Sequence, residues 1–177
     1  MASSKTELLE FTLEQVVDWL KYAEAKNGAL LAIAGATLFG GTRTFNSLTD
    51  ISALLNSYFV CFSLFVIASI ILALSSFIPR LSPPFWIKFP EKKLTDNPLY
   101  FGHACKYDNQ EYLELIASLT ESSSSEFSKI DNALCSQIVI NSKIAYIKYG
   151  MFTTAVFLFL ASILTPLGAL IIYIFKE

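Results

Sequence analysis

Two stretches of this 177-residue chain collect the side chains that could do chemistry: "NPLYFGHACKYDNQEYL" at 97–113 and "SQIVINSKIAYIKY" at 136–149. The cations Lys143 and Lys148, the amides Gln137 and Asn141, and the rings of Tyr100, Tyr107 and Tyr112 lie there. Such groups suit a small ligand with one phosphate charge, a base with donors and acceptors, and an aromatic face. Each type also has an ordinary use. From Ile130, steps of four and three fall on Ile130, Leu134, Gln137, Asn141, Ile144 and Lys148. This is an apolar seam interrupted by two amides and a cation. The amides can fix the register of a helix bundle, or they can line a small polar pocket. Spacing alone leaves both readings open.

Enzymatic chemistry is not expected. His103 is the single histidine. Tyr107 and Asp108 are near it in sequence, but no serine or cysteine stands in a triad arrangement. Asp108, Glu111 and Glu114 recur at helical spacing and read as a solvated face. No Walker loop, dinucleotide fingerprint or zinc spacing occurs. The expectation is therefore no catalytic residue, no metal and no cofactor. Cys61, Cys105 and Cys135 have no obvious disulfide or metal partner and read as structural. The net charge of −2 gives no reason to expect nucleic-acid binding.

The elements that must position these residues read as membrane helices. The chain is 54% hydrophobic and 16% charged, too apolar for an ordinary soluble domain. Residues 51–79 and 149–175 carry no charge, and each exceeds the roughly 20 residues a spanning helix needs. A third run, 28–42, is shorter. It can span if the helix continues to Phe45 and Arg43 snorkels to the headgroups. The expected fold class is an all-α membrane protein with three transmembrane helices, at 28–46, 58–79 and 149–175. The rest is a cytoplasmic amphipathic helix at 1–27, a short external loop at 47–57, and a cytoplasmic Pro-rich connector and helical region at 80–148.

Orientation follows from the basic residues. Lys5, Lys21 and Lys26 precede the first run. Arg80, Lys88, Lys92, Lys93, Lys106, Lys129, Lys143 and Lys148 lie between the second and third. Arg43 and Lys176 remain for the other face. The positive-inside rule then puts the N-terminus and the central region in the cytoplasm and the C-terminus outside. The polar leader is too long and too acidic for a cleavable signal peptide.

Local signals are clear in places. Leu9, Leu13, Val16, Val17, Leu20 and Ala23 share one face of a helix over 5–27, with no proline before the first apolar run. Phe85 and Trp86 of the Pro-rich connector suit a membrane interface. Asp108 can cap a helix through about Leu119. The serine run 122–125 reads as a turn. Ser123 and Glu126 have capping-box spacing for a last helix, which meets no proline before Pro166.

At the first apolar run, Gly28, Ala32, Ala36 and Gly40 recur every four residues. Helices in lipid gain from close backbone approach, which small residues permit. The stripe can pack helices of one chain or copies of the chain. Three spans cannot enclose a conducting path, so a pore would demand a homo-oligomer. Glu24, Lys26 and Asn27 stand at the membrane entrance. Lys143 and Lys148 are expected at the same level, where an approach to Glu24 would couple the two regions.

Three stretches resemble a known family: "AEAKNGALLAIAGA" at 23–36, "NPLYFGHACKYDNQEYLELI" at 97–116 and "DNALCSQIVINSKIAYIKYGMF" at 131–152. They are similar to the PycTM type of Pycsar effector, bacterial antiphage membrane proteins. The likeness runs from about Tyr22 onward and is loosest in the Pro-rich connector. It implies an associated pyrimidine cyclase that makes cyclic CMP or cyclic UMP on infection. The nucleotide would activate the effector, which impairs the inner membrane and stops the cell by abortive infection. A second function class remains beside it: a membrane-anchored adaptor whose cytoplasmic helices recruit a partner.

Overall fold

The computed structural model describes residues 2–49, 51–79, 83–84, 87–121 and 127–174. Among them there are helices and connecting turns but no strand. The expected serine turn, the Ser123–Glu126 box, the interfacial Phe85 and Trp86, and the basic residues Arg80 and Lys176 lie outside the described residues.

The first helix, α1, is Ala2–Asn46, unbroken from the amphipathic leader through the Gly/Ala run. Over its first half the buried positions are Leu9, Thr12, Val16 and Ala23, with Leu13, Val17 and Leu20 half-buried. That is the face the apolar spacing predicts. Thr12 joins it because its hydroxyl donates to the Leu8 carbonyl at 2.7 Å and so needs no other partner. The short α3 is Phe101–Ala104, and α4 is Asn109–Leu119. Asp108 caps α4 as expected: its carboxylate accepts from the Glu111 backbone N–H while Glu111 accepts from the Asp108 N–H. The helix stops at Thr120, and Glu121 follows with φ of 51°. The last helix, α5, is Lys129–Ile174. Ser128 and Asp131 open it by exchanging side-chain and backbone bonds of 2.8 and 3.1 Å.

The chain divides into two compact units. Unit 1 holds residues 1–23 and 79–149. Its core joins Leu9 and Val16 of α1, Phe101 and Ala104 of α3, Tyr112, Leu113 and Ile116 of α4, and Cys135, Ile138 and Ala145 of α5. Thr6 also donates to Asp131 at 2.8 Å, tying the start of α1 to the start of α5. The seam of α5 is not the expected one. Ile130 and Gln137 are exposed, and the buried stripe is Asp131, Cys135, Ile138, Ser142 and Ala145. Ile130 and Lys148 are about five full turns apart and face the same way, so the expected series runs along a side of α5 about 100° from the buried stripe and is buried only at Ile144 and Lys148, where Ala145 and Ile147 are buried too.

Unit 2 holds residues 24–78 and 150–177, including α2, Ala53–Ser75. Ser52 caps α2 by accepting from the Leu55 N–H at 3.2 Å, so the helix starts inside the stretch read as external loop. Ala34, Phe62 and Val66 form the core, with Leu38, Phe59, Ile70 and Phe159 against it. Ser69 donates across to the Ala155 carbonyl at 2.8 Å.

Two helices, not three, are long and apolar enough to cross a bilayer among the described residues: Ala53–Ser75 and the Lys129–Thr165 part of α5. The expectation of a third span at 28–46 is corrected. Glycines and threonines at 35, 37, 40, 41, 42 and 44 dilute the apolar content of α1, and Arg43 sits among them. Small residues that let helices approach also remove the hydrocarbon surface that drives insertion.

Close approach in unit 2 occurs at one glycine outside the expected stripe. A Cβ on Gly41 would stand 2.8 Å from Phe62 Cε1. One turn further on, Phe45 and Phe59 stack with centroids 3.9 Å apart. Ala32, Ala36 and Gly40 are exposed, while Gly28 lies near Phe77. The packing face of α1 is instead Asn27, Leu30, Ala34 and Gly41.

Candidate functional site

The polar chemistry of unit 1 gathers around the segment leading from the Pro-rich connector into α4. Asp96 is its fixed point, with a side chain 2% exposed. It accepts from Lys106 Nζ at 2.6 Å, from the Tyr107 hydroxyl at 3.0 Å and from the Lys93 backbone N–H at 2.9 Å. Burial alone would raise the carboxyl, but the bonds from Lys106, Lys93 and Tyr107 outweigh it and hold it at about 2. Tyr107 moves the other way: burial and its bond to the Asp96 carboxylate raise the phenol. His103 Nδ1 accepts from the Asn97 N–H at 2.8 Å, which leaves the proton of a neutral ring on Nε2, 3.7 Å from Asp96 Oδ1. The histidine thus closes a local turn. No nucleophile joins it in these bonds.

Beside this staple lies a more open cluster. Lys92 Nζ bridges both oxygens of Glu111 and sits 5.6 Å from the centre of the Tyr107 ring. The two side chains are 47% and 41% exposed, so water reaches the pair. Lys143 of α5 places its Nζ 5.8 Å from the centre of Phe89, and Phe89 lies 5.8 Å from Tyr146. The Lys92 bond and the Asp108 N–H lower the Glu111 carboxyl, and the charge of Lys143 adds to the effect. Lys92 is thus bonded to this carboxylate and lies over Tyr107, while Lys143 acts on it through space from over Phe89. Glu111 is not merely part of a solvated face; it caps α4 and neutralises Lys92. Burial pushes the nearby Cys105 thiol up to about 11, which fits a structural cysteine.

A family model described as the Pycsar effector protein domain matches residues 8–175, nearly the whole chain. The chain belongs to the Pycsar effector family. No curated protein and no solved structure matches it. The family is one of antiphage defence effectors linked to membranes and to cyclic nucleotide signalling, and the two apolar helices agree with a membrane location.

The residues singled out by sequence in this Pycsar effector do not converge on one place. Asn141 and Lys143 are two positions apart on α5, about 200° round the helix, so they face opposite ways. Gln137, Asn141 and Lys148 share one side, with Gln137 exposed, Asn141 half-buried and Lys148 buried. Lys143 and Tyr107 both border the Glu111 cluster. Tyr112 is fully buried, and its hydroxyl donates to the Pro98 carbonyl at 2.9 Å. Tyr100 packs edge-on against Phe101 and His103. Its ring covers Gly102 so closely that a Cβ there would lie 2.5 Å from Tyr100 Cε1. Of the residues expected at a membrane entrance, Asn27 is fully buried, Glu24 is half-buried, and Lys26 Nζ sits 5.5 Å from the centre of Phe152.

Sequence reasoning missed Lys92, Phe89, Asp96 and Tyr146 as members of a polar, aromatic cluster. For Asp96 a signal existed: "DNP" at 96–98 is turn chemistry in which a buried carboxylate can anchor the loop. Lys92 and Glu111 are nineteen residues apart, and no periodicity links them.

Proposed function

We propose that this effector is switched on by a cyclic nucleotide, cyclic CMP or cyclic UMP, bound at unit 1, and that the active protein impairs the bacterial inner membrane. Death of the infected cell before phage matures is the outcome. A pyrimidine nucleotide cyclase supplies the ligand. The region between the two apolar helices belongs in the cytoplasm on this reading, because its basic residues between 80 and 148 follow the positive-inside rule.

The observation that carries the proposal is the continuity of α5. Lys143 and Tyr146, which border the cationic and aromatic cluster, stand on the same unbroken helix as the apolar turns after Gly150. A ligand that shifts those two side chains acts directly on a membrane helix. The unbroken α1 offers a second route, with Glu24, Lys26 and Asn27 as the coupling turn. The exposed Ala32, Ala36 and Gly40 suit contact between copies, and a homo-oligomer is what a conducting path would require.

The test is expression in bacteria with and without a pyrimidine cyclase, read by a potential-sensitive dye. Depolarisation that depends on the cyclase is expected. An unchanged potential in cells that are nonetheless protected from phage would exclude membrane damage as the mechanism.

A further inference from the structure

We infer that Glu111 is a built-in stand-in for the ligand's phosphate: in the unliganded chain it occupies Lys92, and an incoming cyclic nucleotide draws Lys92 away from it. This rests on the nucleotide reading above and adds to it a site and a form of regulation.

The charges are arranged for exchange. Glu111 holds Lys92 through both oxygens, and Lys143 acts on the same carboxylate. Glu111 thus faces two cations, while the neighbouring Asp108 carboxylate is engaged by the Glu111 backbone N–H. A cyclic phosphodiester carries one negative charge and presents its oxygens in a fan, as a carboxylate does. Phe89, Tyr107 and Tyr146 supply aromatic faces at the cluster, with Lys92 and Lys143 lying over two of them. An aromatic base attached to the phosphate has somewhere to rest.

The anchor of Glu111 also suits a latch. Its Oε2 accepts the Asp108 N–H at 3.0 Å, so the carboxylate stays at the first turn of α4 when Lys92 leaves it. Exchange therefore costs one ion pair and spares the helix cap. While Glu111 is in place, it repels any anion that approaches Lys92. Small anions without a base gain nothing from the rings and do not displace it. A ligand with both a phosphate and an aromatic base does, and the latch thereby sets a threshold against inorganic phosphate.

Calorimetric titration of the full-length protein in detergent with cyclic CMP and cyclic UMP tests this. Glu111→Gln retains an oxygen for the Asp108 N–H and removes the competing charge. It should bind roughly tenfold tighter or more than the parent, the worth of one charge-assisted contact. Glu114→Gln removes an equal charge one turn away, from a side chain bonded to Gln110 rather than to Lys92. It should match the parent, which a general effect of net charge would not allow. Lys92→Gln should bind roughly tenfold more weakly. Thermal melts should show all three variants folded. Binding by the parent that is unchanged in Glu111→Gln and Lys92→Gln would overturn the latch and leave the nucleotide reading standing. Failure of both the parent and Glu111→Gln to bind either nucleotide would overturn both.

Discussion

Asp96 should keep its charge, and its hold on unit 1, well into the acid range. Its folded carboxyl titrates at about 2, against an ordinary 3.8. A depressed folded value stabilises the fold fully above 3.8, and that contribution is lost as the pH falls through about 2. At neutral pH, Asp96→Asn should melt below the parent, because Lys106 loses a buried counter-charge. The gap should narrow between pH 4 and pH 2, as the parent itself becomes protonated. Melting curves of the two proteins across that range check the sign, and a constant gap would mean that Asp96 is not the titrating group. Tyr112 gives a simpler case. Tyr112→Phe leaves the Pro98 carbonyl without its donor in a buried place, at a cost of about 1–3 kcal/mol in thermal or denaturant unfolding.

At the scale of elements, two helix details carry opposite predictions. Glu121 adopts the left-handed conformation after the end of α4, where L residues pay a steric penalty and glycine does not. Glu121→Gly should stabilise unit 1 by about 1 kcal/mol, read as a higher melting temperature. In α1 the neighbouring glycines differ. Gly41→Ala drives a methyl into the Phe62 ring and should destabilise by about 1–3 kcal/mol. Gly40→Ala meets nothing within 4 Å and should stabilise by about 0.5–1 kcal/mol, because glycine inside a helix is less favourable than alanine. Equal melts for the two variants would show that α1 and α2 do not cross at Gly41.

At the scale of the whole molecule, the surface of α2 marks the solvent for which the protein is built. Leu54, Val60, Leu64, Ile67, Ile71 and Leu74 are exposed on this one helix. Water would penalise such a surface, and hydrocarbon does not. Ile67→Lys places a charge near the middle of the span, at a cost of about 2.5–3.5 kcal/mol for insertion. The variant should be depleted from carbonate-washed membranes relative to the parent, and full recovery there would argue that α2 does not span.

The sequence by itself determined the elements whose signals lie within a few residues: the buried face of α1 from Leu9 to Ala23, the Asp108 cap of α4, and the apolar α2. Helical periodicity and capping are local physics, and they were legible for that reason. The family was legible too, through the stretches at 97–116 and 131–152. Tertiary structure decided which polar groups meet. Lys92 finds Glu111 and Asp96 finds Lys106 only because the chain between them folds back on itself. Asn141 and Lys143, adjacent in the reading of "INSKI", are separated by the turn of the helix itself. The same holds for the small residues of α1: a spacing of four marked a stripe, but the position of the Phe62 ring selected Gly41. Pairing between distant side chains depends on where whole helices come to rest, and local spacing carries no record of that.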